Sequence, residues 1–259
     1  MNGGSHTAMV DRLARAASLL VVSEFDGTLA DFVTDPATAR PVAGALDVLT
    51  ALARLPRTRA AVISGRSLDG LRGVCLLPPD APHSCRIEFI GSGGMEIEAQ
   101  MTLGLTADAQ RVCRHLRQAA SQIAERHPGV SVDEKPYGVA LHVRGVAPAA
   151  AQQAIAQLLD YALSLPRQVY SQSRSDVLDL SVLPVGQDWA IDALRRGRDA
   201  VVLYAGNDER ALASLSPADI GLTVGGNGTD DAVSLQNPTD LVCFLNELCR
   251  TRRRVLARL

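Results

Sequence analysis

The stretch SEFDGTLADF, residues Ser23–Phe32, places two carboxylates directly after an apolar run. That run, Leu19–Val22, predicts a short buried parallel strand. In an extended segment residues i and i+2 point to the same side, so Glu24 and Asp26 can face one pocket. One carboxyl group could attack or bind a metal while the other handles a proton. An acidic turn at a strand end is the alternative interpretation.

Three further apolar runs also end at polar or glycine-rich turns. They are Ala60–Ile63 before Ser64-Gly65-Arg66, Ala200–Tyr204 before Gly206-Asn207-Asp208, and Ile220–Val224 before Gly225-Gly226. Helical patterns over Val42–Leu55 and Trp189–Arg196 supply the alternation of a doubly wound sheet. Polar residues beyond the carboxyl ends of such strands face the ligand crevice. We therefore predict an α/β, Rossmann-like core with its site at these loops.

The middle of the chain follows a different pattern, with long helical stretches alternating with pairs of strand-like runs. The helical stretches are Thr106–Arg126 and Pro148–Leu163, and the strand-like runs are Val130–Lys135, Val139–Arg144, Gln168–Ser171 and Val177–Leu183. Pro136-Tyr137-Gly138 separates the first two runs and favours a hairpin. We predict an α+β cap over residues 104–184, inserted between core segments 1–103 and 185–259.

The amino-acid composition indicates which kind of partner the protein binds and in which cellular compartment it lies. The 259 residues carry a formal net charge of -2, and this lack of basic excess argues against nucleic acid or an anionic membrane as partner. Five cysteines, odd in number and without metal-ligand spacing, indicate reduced thiols in a cytoplasmic protein. The apolar run Ala16–Val22 is too short to span a bilayer. A small molecule is the expected partner.

The chain resembles the trehalose-6-phosphate phosphatase family of the haloacid dehalogenase superfamily. The resemblance extends from about Leu19 to Leu248. It runs through FDGTLADFVTDPATARP, VISGRS, IGSGGMEIE, SVDEKPYGVALHVRG, VLDLSVLPVG, LYAGND and IGLTVGGNGTDDAVSLQNPTDLVCFL. It implies a haloacid dehalogenase core with an inserted α+β cap, and magnesium-dependent hydrolysis of a sugar phosphate.

The resemblance puts Glu24 at the position of the attacking carboxylate, which is an aspartate in the family. Asp26 then corresponds to the residue that protonates the leaving oxygen and activates water. A longer glutamate arm displaces the attacking oxygen by roughly an ångström, which can cost about 10²-fold in rate. The residues that the resemblance places around the phosphate are Thr28, Ser64, Gly65 and Arg66.

Three other positions depart from the family pattern. Aligning LPVGQDWAIDAL puts Trp189 where the family has a lysine, and an indole cannot replace an ammonium group. Asn207 stands for a metal-binding aspartate, and Gly93 for a histidine near the cleft. The implied metal ligands are Glu24, Asp26, Asn207 and Asp208. Because an asparagine oxygen is neutral, we expect magnesium to bind weakly or not at all.

The cap keeps more of the family pattern. Asp133 and Lys135 stand for a Glu-x-Lys pair, and His142 with Arg144 matches an H-x-R strand. The resemblance implies that these residues contact the sugar and its phosphate. The alternative for each is an exposed polar residue on a strand edge; Ser64 in the core could likewise be a helix N-cap.

Two classes of function remain open from the sequence. One is a slow magnesium-dependent phosphatase that converts trehalose 6-phosphate to trehalose through Glu24 and Asp26. The other is a non-catalytic relative that binds a sugar, a sugar phosphate or an enzyme of the trehalose pathway. Because the nucleophile, lysine and metal-ligand positions are all substituted, we predict a weakly active or inactive protein.

Overall fold

The computed structural model describes residues 3–76, 87–97, 105–174, 176–184, 186–195, 199–225 and 233–258. The chain divides into two compact units. The core unit consists of Met1–Gln100 and Gly186–Leu259, and the cap unit is Met101–Val185. The domain boundaries predicted at 103/104 and 184/185 fall on or beside residues outside the described ranges.

The strands, numbered along the chain, are β1 (Leu19–Glu24), β2 (Thr58–Ile63), β3 (Ile87–Gly91), β4 (Glu96–Ile97), β5 (Ser131–Lys135), β6 (Gly138–His142), β7 (Tyr170–Arg174), β8 (Val177–Ser181), β9 (Val201–Ala205), β10 (Ile220–Val224) and β11 (Val233–Leu235). The α-helices are α1 (Gly3–Arg15), α2 (Ala45–Ala53), α3 (Leu68–Val74), α4 (Ala107–Arg126), α5 (Pro148–Leu163), α6 (Gln187–Arg195), α7 (Glu209–Ala213) and α8 (Pro238–Leu256).

The core unit is built on a seven-stranded sheet in the order β11-β10-β9-β1-β2-β3-β4. Neighbouring strands are parallel except for β3 and β4. Strand β1 lies at the centre, and alternate residues bury against opposite layers. Leu19 and Val21 pack with apolar residues of α1, α2 and α8, whereas Leu20 and Val22 pack with those of α6. The predicted α/β class is therefore confirmed.

The register of the sheet gathers the candidate loops at one edge. Glu24 pairs with Ile63 of β2, and the preceding residue, Ser23, pairs with Ala205 of β9. The loops that begin at Asp26, Ser64 and Gly206 therefore leave the sheet side by side. By strand alternation Glu24 continues the row of Leu20 and Val22, so its side chain points to the α6 side.

The cap unit contains a four-stranded antiparallel sheet in the order β5-β6-β8-β7. Asp133 of β5 pairs with Ala140 of β6, which pairs with Asp179 of β8. These three residues therefore lie in one row across the same face of the sheet. Buried Leu141 and Leu178 belong to the opposite face.

Helices α1 and α8, which the sequence analysis did not identify, pack together in the core unit. Arg252 of α8 is fully buried at their contact. Its guanidinium group donates to the Leu13, Ala14, Ala16 and Arg57 carbonyl oxygens and to the Thr58 hydroxyl. One side chain thus joins the end of α1, the start of β2 and α8. Within the described ranges, no helix is long and apolar enough to cross a membrane.

Candidate functional site

The carboxylate of Glu24 is held through both oxygens at the end of β1. The side-chain amide of Gln187 donates from Nε2 to Oε1 over 2.5 Å. The backbone N–H of Asn207 donates to Oε2 over 2.8 Å. Gly206 leaves room for this arrangement, because a Cβ atom there would lie 2.6 Å from Glu24 Cγ. These contacts fix the direction in which the carboxylate points.

Tyr204 supports the same arrangement from the interior of β9. It is fully buried, and its hydroxyl donates to Gln187 Oε1 over 2.9 Å. This donation leaves the Nε2 group of Gln187 directed at Glu24. Burial, followed by the negative charges of Glu24 and Asp208, raises the pKa of Tyr204 well above its usual value. The phenol is therefore a proton donor at neutral pH.

Gln187 is the α6 side chain that donates to Glu24, and the alignment of Trp189 with the family's lysine stays a prediction. Gln187 begins the buried stripe of α6 that continues through Ala190, Ile191 and Leu194. Trp189 lies off that stripe, half-buried against the apolar layer on the α6 side of the sheet. The helix begins two residues earlier than predicted, and extending its apolar stripe back towards its start would have identified Gln187.

Asp26 forms a bidentate ion pair with Arg66. Arg66 Nη2 lies 2.6 Å from Oδ1, and Nε lies 3.0 Å from Oδ2. The Ser64 hydroxyl donates to Oδ2 over 3.3 Å and accepts from the Arg66 backbone N–H over 3.1 Å. The remaining guanidinium nitrogen donates to the Pro36 carbonyl. The N-cap of α3 is Ser67, so the alternative role suggested for Ser64 belongs to another serine.

Three other predicted residues lie in or beside these loops. Thr28 is fully buried, and its hydroxyl has no hydrogen-bond partner among the described residues. Gly65 is half-buried in the turn between Ser64 and Arg66. The N–H of Gly93 donates to the Ser64 carbonyl over 2.8 Å, in the left-handed backbone conformation with φ 66°.

The predicted metal ligands after β9 are both engaged with backbone groups. Asn207 donates from Nδ2 to the Val224 carbonyl over 2.9 Å and accepts from the Val224 N–H over 3.3 Å. Its amide therefore joins the β9 loop to the end of β10. Asp208 caps α7 by accepting from the Ala211 N–H over 2.9 Å. Among the described residues, no group of three or more His, Cys, Asp or Glu could hold a metal ion.

In the cap unit, Lys135 lies between two carboxylates. Its ammonium nitrogen is 3.6 Å from Asp133 Oδ2 and 3.7 Å from Asp179 Oδ1, and the side chain is only 4% exposed. The pKa of His142 is lowered, first by burial and then by the positive charge of Lys135. These four residues form an electrostatically linked polar cluster.

Arg144, the remaining predicted cap residue, follows β6 and pairs with Asp176. The distance from Arg144 Nε to Asp176 Oδ2 is 3.2 Å. Half of the arginine side chain is exposed, so this pair contributes little to stability.

The sequence is similar to a known protein family and to several of its members. A family model described as Trehalose-phosphatase matches residues 22–208. A trehalose-phosphate phosphatase of Mycobacterium marinum is 31% identical over 248 residues, covering 88% of this chain and 60% of that protein. One from Mycobacterium avium is 40% identical over 131 residues, covering 49% and 31% respectively. The chain thus spans less than two thirds of the length of these relatives.

Solved structures show the same fold at low sequence identity. The C-terminal domain of the Candida albicans trehalose-6-phosphate phosphatase superposes with a TM-score of 0.77 at 15% identity, covering 96% of this chain and 97% of that one. A structure titled trehalose-6-phosphate phosphatase related protein gives 0.70 at 19% identity, with 89% and 97% covered. The C-terminal domain of a Candida albicans trehalose synthase regulatory protein gives 0.66 at 12% identity, with 93% and 97% covered.

Proposed function

Because this chain belongs to the trehalose-phosphatase family, we propose that it binds a sugar or sugar phosphate of trehalose metabolism with little or no hydrolysis. The observation that carries the proposal is the pair of hydrogen bonds to Glu24. The attacking oxygen of a nucleophilic carboxylate must approach phosphorus in line. Glu24 instead has one oxygen on the Gln187 amide and the other on the Asn207 N–H. Each hydrogen bond withdraws electron density from a Glu24 oxygen and restrains the carboxylate, so Glu24 is a poorer nucleophile in this arrangement.

The lack of a charge on the Gln187 side chain supports the same proposal. Phosphoryl transfer depends on cations that neutralise the transferring group. A glutamine amide next to Glu24 donates a hydrogen bond but contributes no net charge. Arg66 does carry a charge, but its guanidinium group is in contact with Asp26.

Magnesium, which the family generally uses, fits the described residues poorly. A hard cation favours carboxylate oxygens that are free to turn towards it. Asn207 uses both amide atoms on Val224, and Asp26 is paired with Arg66. We therefore propose weak or absent magnesium binding.

The free thiols support a cytoplasmic location. Cys75, Cys113 and Cys249 are buried and unbridged, and Cys243 is exposed and unbridged. Reduced thiols are typical of the cytoplasm. Sugar metabolism there would make a trehalose-pathway enzyme an accessible protein partner.

The test is orthophosphate release from trehalose 6-phosphate with magnesium present. The proposal predicts release near the uncatalysed background for the unmodified protein. Asp26→Asn is the matched control, because it removes the acid–base carboxyl while nearly preserving its shape. Rapid release by the unmodified protein that is abolished by Asp26→Asn would refute the proposal and show a phosphatase that requires Asp26.

A further inference from the structure

We propose that the candidate site prefers an uncharged sugar to the corresponding sugar phosphate. This inference rests on the proposed function and specifies the ligand class of the same site. The hydrogen-bond donors and cations of the core unit carry the inference, and the cap unit contains a cluster of its own.

In the core unit, donors that could receive a phosphate are directed at carboxylates of the protein itself. Arg66 and the Ser64 hydroxyl donate to Asp26. Gln187 and the Asn207 N–H donate to Glu24. A phosphate dianion at these donors therefore lies beside a carboxylate that already accepts from them, and the charge of that carboxylate repels it.

The backbone of the β1 loop is similarly engaged. The Gly27 N–H donates to the Ala30 carbonyl over 2.8 Å, and the Thr28 N–H donates to the Phe25 carbonyl over 3.3 Å. An anion bound by this loop would have to displace these internal hydrogen bonds. A loop that binds anions through several backbone N–H groups has them directed outwards.

Electrostatics separates the two ligand classes more strongly than hydrogen bonding does. A phosphate beside Glu24 meets that carboxylate and Asp208, which follows the Asn207 N–H bonded to Glu24, and like charges a few ångströms apart repel. The neutral Gln187 amide provides no compensating charge at the position that touches Glu24. A neutral ligand avoids this repulsion.

A separate polar cluster in the cap unit has the same chemical character. Lys135 is placed between Asp133 and Asp179, so this cluster of one ammonium and two carboxylates carries excess negative charge. Carboxylates accept hydrogen bonds from sugar hydroxyl groups, and an ammonium group can donate to hydroxyl oxygens. The cluster therefore suits a polyhydroxyl compound, whereas a phosphate would be repelled by both carboxylates.

The experiment compares the binding of trehalose, trehalose 6-phosphate and inorganic phosphate by calorimetry. For the unmodified protein we expect trehalose to bind more tightly than trehalose 6-phosphate. Gln187→Lys should tighten trehalose 6-phosphate binding by about tenfold or more, because it adds an ammonium group beside the phosphate position. Trehalose binding should change by less than about threefold, since this ligand has no charge.

Trp189→Lys is the matched control, because it adds the same charge two residues along the same helix. It should leave the preference unchanged, since Trp189 packs on the apolar layer. Binding of trehalose 6-phosphate to the unmodified protein as tightly as trehalose, or more tightly, would overturn the inference, and so would failure to bind either sugar. The unmodified protein alone decides this, even if a variant does not fold.

The inference and the proposed function fail in different measurements. Orthophosphate appearing in the binding mixture would show hydrolysis and refute the proposed function. The ratio of the two sugar affinities, measured with Asp26→Asn if hydrolysis occurs, would still test the ligand class.

Discussion

Gln187 donates a hydrogen bond to Glu24 over 2.5 Å, joining the first turn of α6 to the end of β1. The contact joins the predicted nucleophile position to a neutral side chain of α6. A neutral amide in this place fixes the carboxylate but leaves its charge unchanged. Under the proposed function, the two residues act together to hold the site in a binding arrangement.

Restoring hydrolysis should require several changes at once. Glu24→Asp alone should leave orthophosphate release from trehalose 6-phosphate near background, because the groups of a catalytic site act non-additively. The triple variant Glu24→Asp, Gln187→Lys, Asn207→Asp should give measurable release with magnesium. Replacing Gln187→Lys by Trp189→Lys in this triple variant should abolish the gain. Equal activity of the two triple variants would show that Gln187 is not the cation position.

Tyr204→Phe should destabilise the core unit. The change leaves the buried carbonyl of Gln187 without the hydroxyl that donates to it, which costs about 1–3 kcal/mol of unfolding free energy. Urea denaturation measures the difference. Tyr170→Phe, at a partly exposed position of the cap sheet, should change stability by less than about 0.5 kcal/mol. Equal effects would mean that the Tyr204 hydroxyl contributes no net stability.

Gly206→Ala should displace Glu24. The added methyl group would lie 2.6 Å from both Glu24 Cγ and the Tyr204 hydroxyl oxygen, and such overpacking costs about 1–3 kcal/mol. Gly73→Ala in helix α3 is the control, since a Cβ there meets no atom within 4 Å. This second change should stabilise the protein by up to about 1 kcal/mol, because alanine favours helix. Thermal unfolding of both variants checks the opposite signs.

Arg252→Met should strongly destabilise the contact between α1 and α8. Burial lowers the pKa of this guanidinium group from its usual value, and the change would remove its donors from the carbonyl oxygens of Ala14, Ala16 and Arg57. We expect a loss of about 3 kcal/mol or more. The neighbouring exposed Arg253→Met should stay within about 0.5 kcal/mol of the unmodified protein. Similar melting temperatures for the two variants would contradict the role assigned to Arg252.

The stability of the cap should fall in mild acid. Burial and the charge of Lys135 lower the pKa of His142 below its ordinary 6.5, so the unfolded imidazole takes up a proton at higher pH than the folded one. The contribution of His142 to the free energy of unfolding is fully present above the ordinary pKa of 6.5. It decreases as the pH falls below that pKa. Denaturation at several pH values should show this decrease, and His142→Gln should reduce it. His115→Gln, at an exposed position of α4, is the matched control for replacing a histidine.

The sequence by itself determined the features that depend on neighbouring residues. The apolar runs before Glu24 and Ser64 predicted two central strands, because a buried parallel strand requires a continuous apolar segment. The Pro136-Tyr137-Gly138 turn predicted the cap hairpin, and the pattern over Pro148–Leu163 matched α5 at both ends. The α/β class and the family followed from the order of such segments.

Only the tertiary structure decided which side chains meet at the site. Gln187 and Glu24 are 163 positions apart, and Asn207 turns its amide to the backbone of Val224. Local spacing gives the direction of a side chain relative to its own helix or strand, whereas a contact between elements depends on sheet order and helix rotation. Because α6 begins at Gln187, its first buried side chain reaches Glu24 and Trp189 is turned to the apolar layer.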